Sequence, residues 1–370
     1  MNDLLEICEI NTPDQFYELK EVWNEVLEKS RDNHFFLTWE YIAIAIKNLK
    51  PNEELKILCV KEKNRIIAIA PLKQYKHTFK GILSYNVIEP LDYGPSTDYT
   101  GMILTKKESE CVSLLITYLY EQNNWDFLKI TNLYQKTAFT NIITKNAQSL
   151  PKFTIYHEGI CPYIKIPNDL KKYLNNLNSR FVYNLLRRLR KLEKDYGKIE
   201  LKDYKELGTL EEAMETFFKL HQSRWQSKKR EGAFKSNENR NLFLQRARLF
   251  DEKGWFRLYF LTVNDKPVAS QYAFEYNQKL HSSLSGFDPF YSSYSVGSLL
   301  ILKIIERCMK TKIKEYDLMK GNERYKFSWT KTYRENVFIE FTNNKLYSHL
   351  VDVGIEGARK SQLVKVLRKL

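Results

Sequence analysis

The 370 residues read as an α/β (α+β) protein of two similar halves, each a mixed, largely antiparallel sheet flanked by helices. Three observations lead there. The length is that of two domains of ordinary size. The order helix, hairpin, strand, helix, strand occurs twice at about half-chain spacing, although the residues themselves are not obviously repeated. Both hairpins are built alike, from β-rich runs on either side of a short polar turn. The chain is 43% hydrophobic and 28% charged, with only 13 Gly and 10 Pro. That is enough apolar surface for two cores, and it lacks the signature of disorder.

The first half, residues 1–165, opens with a helix over Asp14–Lys29. Thr12-Pro13-Asp14 marks its start, and Phe16, Leu19, Val22, Trp23, Val26 and Leu27 recur at helical spacing. A second helix covers Trp39–Leu49 and ends before Pro51. Lys56–Lys61 and Ile66–Lys73 then flank the turn Glu62-Lys63-Asn64-Arg65 as a hairpin. Strands follow at Ile82–Ile88 and Gly101–Leu104, then a helix at Glu108–Glu121 and a buried strand at Phe127–Leu133.

The second half, residues 166–370, repeats the order. Helices are expected at Leu210–Arg224 and Asn237–Lys253, and a hairpin at Phe256–Val263 and Pro267–Tyr276 around Asn264-Asp265-Lys266. Asn277-Gln278 turns into Lys279–Gly286. A Gly/Pro/Ser loop, a helix at Val296–Lys310 and a strand at Glu315–Met319 complete it. Between the halves, Ser179–Lys198 carries an apolar stripe (Val182, Leu185, Leu186, Leu189, Leu192, Tyr196) opposite Arg187, Arg188, Arg190, Lys191 and Lys194. This basic amphipathic helix is either a docked helix with a solvated face or a phosphate-contacting wall. Ile355–Leu370 reads as a shorter helix of the same kind, used for packing.

The net charge of +14 is one-sided. Residues 1–165 hold 19 Lys and Arg against 21 Asp and Glu, whereas residues 166–370 hold 40 against 24. A polyanionic ligand suits the second half, and CoA, a nucleotide-linked substrate and tRNA all qualify. The alternative is a set of solvated lysines. The five cysteines are scattered without a CxxC, the six histidines form no HExxH, and no apolar run is long enough to span a bilayer. Free thiols in a reducing cytoplasmic compartment, no metal and no membrane span are therefore expected.

From Phe217 onward a series of motifs carries a resemblance. FFKLHQSRW (Phe217–Trp225) precedes Gly232-Ala233-Phe234 and Lys266-Pro267-Val268-Ala269. SGFDPFY (Ser285–Tyr291), SVGSLL (Ser295–Leu300) and YDLMKGNERYKFSW (Tyr316–Trp329) follow. The set, over Arg180–Trp329, resembles the GNAT-superfamily acetyltransferase domain of proteins associated with bacterial cellulose and exopolysaccharide synthesis. That domain is related to the Fem-type transferases that build peptidoglycan bridges. The first half is similar more loosely, through Phe35–Trp39, Ala68–Leu72 and Thr97-Asp98-Tyr99. The resemblance implies tandem GNAT-like halves, the first on the acceptor side and the second carrying acetyl transfer. One departure stands out. The family's (Arg/Gln)xxGx(Gly/Ala) loop corresponds here to Tyr294-Ser295-Val296-Gly297-Ser298-Leu299, which keeps one glycine and loses the second small residue.

Acyl transfer to an amine needs a held donor, a base for the amine and donors for the oxyanion. Gly297 and Ser298, with Tyr294 and Arg224, are the candidates for donor phosphate. Lys326 matches the position of a lysine thought in Fem-type relatives to assist binding or charge stabilisation, or else is a surface lysine. Asp317 closes the last short strand, and Asp288 either orients an acceptor or serves as a turn residue before Pro289. His221 relays a proton or is a capped core histidine. Asp98, Trp225, Glu323 and Tyr325 are candidates on the substrate side, with Asp98 equally readable as a loop aspartate. Three functions follow. The first is an N-acyltransferase moving an acyl group, acetyl above all, from acyl-CoA to an amine of a sugar, sugar nucleotide or envelope precursor. The second is a Fem-like transferase taking its acyl group from aminoacyl-tRNA. The third is a non-catalytic binding module on the same fold.

Overall fold

The computed structural model describes residues 4–92 and 97–353, so the helix expected over 355–370 lies outside the described residues. In chain order the elements are β1 (Leu5–Ile10), α1 (Pro13–Glu18), α2 (Lys20–Lys29), α3 (Trp39–Lys47), β2 (Glu53–Glu62), β3 (Arg65–Phe79), β4 (Leu83–Pro90), β5 (Ile103–Leu104), α4 (Glu108–Gln122), β6 (Phe127–Tyr134) and α5 (Ala138–Lys145). Then come β7 (Phe153–Lys165), α6 (Leu170–Asn175), α7 (Ser179–Tyr196), β8 (Ile199–Asp203), α8 (Leu210–Gln226), α9 (Asn237–Glu252), β9 (Phe256–Val263), β10 (Lys266–Tyr276), β11 (Lys279–Phe287), α10 (Val296–Cys308), β12 (Glu315–Asp317), α11 (Arg324–Phe327) and β13 (Tyr333–Thr342).

The continuous helix expected over Asp14–Lys29 is two helices. Thr12 and Gln15 form a capping box that starts α1, and the Leu19 N–H turns back to Phe16 and Tyr17 carbonyls to end it. Leu19 then precedes α2 without a side-chain cap. The hairpin turns behave as their residues require. Lys63-Asn64, Asn264-Asp265 and Asn277-Gln278 all have positive φ at both positions. That geometry matches strand twist, and among residues with a side chain Asn and Asp tolerate it best.

The chain forms two compact units, one of residues up to Gly159 together with those from Glu335 onward, the other of Ile160–Arg334. The expected single cut at residue 165 does not describe this, because the chain returns to the first unit within β13. In the first unit β1, β2, β3 and β4 pair antiparallel in that order. β6 lies parallel to β4, and β13 pairs antiparallel with β6. α4 places Cys111, Val112, Leu115, Ile116 and Leu119 on a core with Leu58, Val60 and Ala68.

The second unit repeats this plan. β8, β9, β10 and β11 pair antiparallel, β12 is parallel to β11, and the Tyr163–Lys165 end of β7 is antiparallel to β12. On one side Leu299–Ile305 of α10 and Leu185 and Leu192 of α7 build the core with β9–β11. On the other, Phe217 of α8 packs on Phe234 and Tyr272 with ring centroids 5.3 and 5.5 Å apart. Gly286 allows α8 this close. A Cβ there would come within 2.3 Å of the His221 backbone nitrogen, so the glycine of SGFDPFY serves helix–sheet packing.

Candidate active site

β11 and β12 pair only over Lys279–His281 and Glu315–Asp317. β12 then ends, while β11 runs on to Phe287. Its register against β10 slips between Tyr272 and Ala273, which leaves Ser283 as an inserted residue. Gln271 holds this irregularity, donating its side-chain N–H groups to the Tyr272 and Leu284 carbonyls at 3.1 and 2.9 Å. Where β11 loses its parallel neighbour, a cavity of about 260 Å³ opens. It lies at the carboxyl ends of two parallel strands, where α/β folds place ligands.

Several parts of the second unit line the cavity. Ser282, Ser285 and Gly286 come from β11, and Ser292 and Ser295 from the following turn. Val296, Gly297 and Ser298 open α10 there, and Arg224 of α8 and Tyr325 of α11 complete the wall. Ser295 has a left-handed backbone and gives α10 no side-chain cap. The Ser298 and Leu299 N–H groups return to the Ser295 carbonyl. Those of Val296 and Gly297 precede any intrahelical acceptor, so the helix presents its positive end to the cavity. A Cβ on Gly297 would meet no protein atom within 4 Å. The fold itself therefore does not need glycine there, and open space lies before it.

Arg224 is the only charged side chain among the cavity's lining residues. One guanidinium nitrogen donates to the Ser285 carbonyl at 3.0 Å and to its hydroxyl at 2.6 Å, and the group lies 5.4 Å over the Phe287 ring. Its Nε is buried without a partner. A buried cationic donor with no acceptor is costly. Tyr325 keeps 40% of its surface open, yet its hydroxyl is pushed up to about 12. Burial is the first cause and Glu323 the second, with Arg224 opposing. At neutral pH it is a proton donor.

The remaining candidates lie outside the cavity lining. Lys326 is buried, and its ammonium donates to the Met319 and Lys320 carbonyls at 3.0 and 2.9 Å and pairs with Glu323 at 3.0 Å. Its three donors are thus engaged in shaping the loop before α11, which corrects the expectation of an oxyanion contact or a surface lysine. Glu323 is its partner in that loop. Asp317 is buried, accepting from the Met319 N–H and pairing with Arg334. Asp288 caps the turn at Pro289–Tyr294 by accepting from the Phe290 N–H. Tyr294 donates to Asp195 of α7 at 2.6 Å and so ties that turn to the basic helix. Asp98 lies in the first unit, where its carbonyl accepts from Asn336.

His221 sits in the aromatic core, with Phe234 at 4.7 Å, and its Nε2 accepts from the Trp225 indole at 3.0 Å. Burial, then the Arg224 charge, lowers its pKa to about 4. It is neutral in the fold and does not line the cavity. The sign of the consequence is fixed: the unfolded chain takes up a proton near pH 6.5 that the folded chain refuses until about 4. Stability is fully present above pH 6.5 and falls as the pH drops toward 4, by up to about 3 kcal/mol. Urea unfolding at pH 7.5 and 4.5 should show this loss, and His221→Gln should remove most of it.

Residues 179–327 match the family model for the acetyltransferase (GNAT) domain. The match lies within the second unit and contains the whole cavity lining. Among solved structures, the crystal structure of FemX superposes with a TM-score of 0.63 at 8% identity, covering 93% of this chain and 99% of that one. A conserved Bacteroides thetaiotaomicron protein of unknown function superposes at 0.56 and 10% identity, covering 90% and 100%. At such identities the likeness is one of fold. No curated protein matches the chain. Of the candidates read from the sequence, Arg224, Gly297, Ser298 and Tyr325 come together in the cavity lining, where Ser282, Ser285, Ser292 and Ser295, not among those candidates, join them. Their signal is visible in SSLSGFDPFYSSYSVGS, Ser282–Ser298, with seven serines spanning the end of the expected strand, the Gly/Pro/Ser loop and the start of the expected helix.

Proposed function

We propose that the second unit is an acyltransferase whose donor lies in the cavity between β11 and the start of α10. The observation that carries this reading is that the open α10 N-terminus at Gly297 and the cationic Arg224 side chain line the same cavity. Both favour an anionic group, as a phosphorylated donor supplies. The serine hydroxyls and the bulge in β11 offer hydrogen bonds to the rest of it. An acceptor amine attacks the donor carbonyl, the C–N bond forms and the bond to the leaving group breaks. The Tyr325 phenol is suited to give that leaving group its proton, and the proton that the amine nitrogen loses restores the phenol. Acyl-CoA is the donor that fits first, with an amine of a sugar, sugar nucleotide or envelope precursor as acceptor.

Titration with CoA and acetyl-CoA in a thermal-shift assay tests the donor. A ligand at 100 times its Kd stabilises by about 2.7 kcal/mol. Gly297→Asp should leave the unliganded melting temperature unchanged, because the site is open, and abolish the shift. No shift with any acyl-CoA would remove this donor. A second reading, transfer from aminoacyl-tRNA, is favoured by the α7 face. Arg187, Arg190, Lys191 and Lys194 are exposed there, and Tyr294 joins the helix to the turn before Gly297. Salt-dependent stabilisation by tRNA alone would select it.

A further inference from the structure

The fold of the first unit brings together two of the scattered cysteines. Cys8 of β1 and Cys59 of β2 are directly opposed in their antiparallel ladder, between the pairs Ile7–Val60 and Glu9–Leu58. Opposed residues leave a sheet on the same face, with Cα atoms about 4.5–5.5 Å apart. A disulfide joins Cα atoms about 4.4–6.8 Å apart, so this register suits one without moving a strand. Both thiols are free in the structure. Their distance in sequence hides the pair, since no CxxC spacing announces it.

The two thiols differ in access. Cys59 is fully buried, and burial first, then the neighbouring Cys8, pushes its pKa up to about 12. Cys8 is partly exposed, on the outermost strand of its sheet. Cys111, Cys161 and Cys308 are buried. A buried cysteine alone is a small apolar side chain. A reachable thiol with a second directly across from it is an attacking thiol with its resolving partner. We propose that Cys8 and Cys59 form a redox-modification site, which a low-molecular-weight disulfide such as oxidised glutathione closes into an intramolecular bond. The Cys8 thiolate attacks one glutathione sulfur, a Cys8–glutathione bond forms, and the first glutathione leaves with the proton that Cys8 lost. The Cys59 sulfur then attacks the Cys8 Sγ, the Cys8–glutathione bond breaks, and the second glutathione leaves with the Cys59 proton. Two protein thiols are oxidised and one external disulfide is reduced. The closed loop contains α1, α2 and α3, so the bond restricts the unfolded chain over all three helices.

The full chain, reduced and then incubated with oxidised glutathione well below its melting transition, tests this. After alkylation in denaturant, only Cys111, Cys161 and Cys308 should carry the alkyl group, and digestion should yield one cross-linked peptide joining Cys8 to Cys59. The melting temperature should rise by several degrees and return with dithiothreitol. Cys59→Ser should stop at a glutathione adduct on Cys8, and Cys8→Ser should take up no cross-link and show no change in melting temperature. Neither cysteine belongs to the second unit, so the response to CoA should be the same in both redox states, whatever the outcome for acyl transfer. A parent chain that keeps both thiols alkylatable, or that stops at the glutathione adduct, overturns the proposal. Oxidation of Cys111, Cys161 and Cys308 at the same rate overturns it too, because the bond would then form through unfolding. So does a melting temperature that falls on oxidation, because the register would then not fit the bond.

Discussion

Arg224→Ala is expected to lower kcat/KM for acyl transfer by roughly 100-fold, the usual cost of removing one preorganised cationic or oxyanion-hole donor. The side chain is the only charge lining the cavity and has a buried Nε without a partner. Its other end is committed to Ser285 through two hydrogen bonds, which hold the guanidinium in place before any ligand arrives. Such a fork cannot be replaced by a lysine, whose three donors all sit on one nitrogen and cannot match its planar geometry, so Arg224→Lys should recover little. Loss of the Ser285 bonds should cost about 1–2 kcal/mol of stability. Comparing melting temperature with activity at a temperature well below the transition separates the two effects. An Arg224→Ala protein that is folded and fully active would remove the anion site from the mechanism.

The hairpins, α4, α8 and α10 were legible because each rests on short-range chemistry: a turn that accepts positive φ, a cap, an apolar period. The order of elements in both halves followed from these. β7 and β13 were not legible. Each finds its partner far away in sequence, β13 with β6 and the end of β7 with β12, and neither is announced by a hairpin. That is also why a cut at residue 165 could not be right. At the site, Gly297 and Arg224 were visible as residue types suited to phosphate. The role of Lys326 was not, because a lysine saturated by the Met319 and Lys320 carbonyls reads in a sequence like one with its ammonium free. His221 is a similar case: its neutrality comes from the rings of Phe217 and Phe234 and from the Arg224 charge, which the helical spacing of Phe217, His221 and Arg224 only hints at.

Asp317→Ala should destabilise the second unit by roughly 3 kcal/mol or more, since it breaks a buried pair from one side. Asp317 is 1% exposed. One carboxylate oxygen takes the Met319 N–H at 2.8 Å, and the other meets Arg334 at 3.2 Å. Arg334 also pairs with Glu315 at 2.6 Å and lies 4.1 Å over the Tyr163 ring. Removal strips the Met319 N–H of this acceptor and leaves the guanidinium with Glu315 as its remaining carboxylate in this network. Asp317→Asn keeps an acceptor for Met319 and should cost less, about 1–2 kcal/mol. Urea unfolding measures both, and a double-mutant cycle with Arg334→Met should show a coupling energy in the range of contacting pairs. The same measurement decides between two roles. A group that acts on the acceptor would lose activity with stability intact. A group that holds β12 and the loop leading to Tyr325 would lose stability first, and Asp317→Asn would keep most activity below its melting transition. The geometry favours the second, because both carboxylate oxygens are already bonded within the fold.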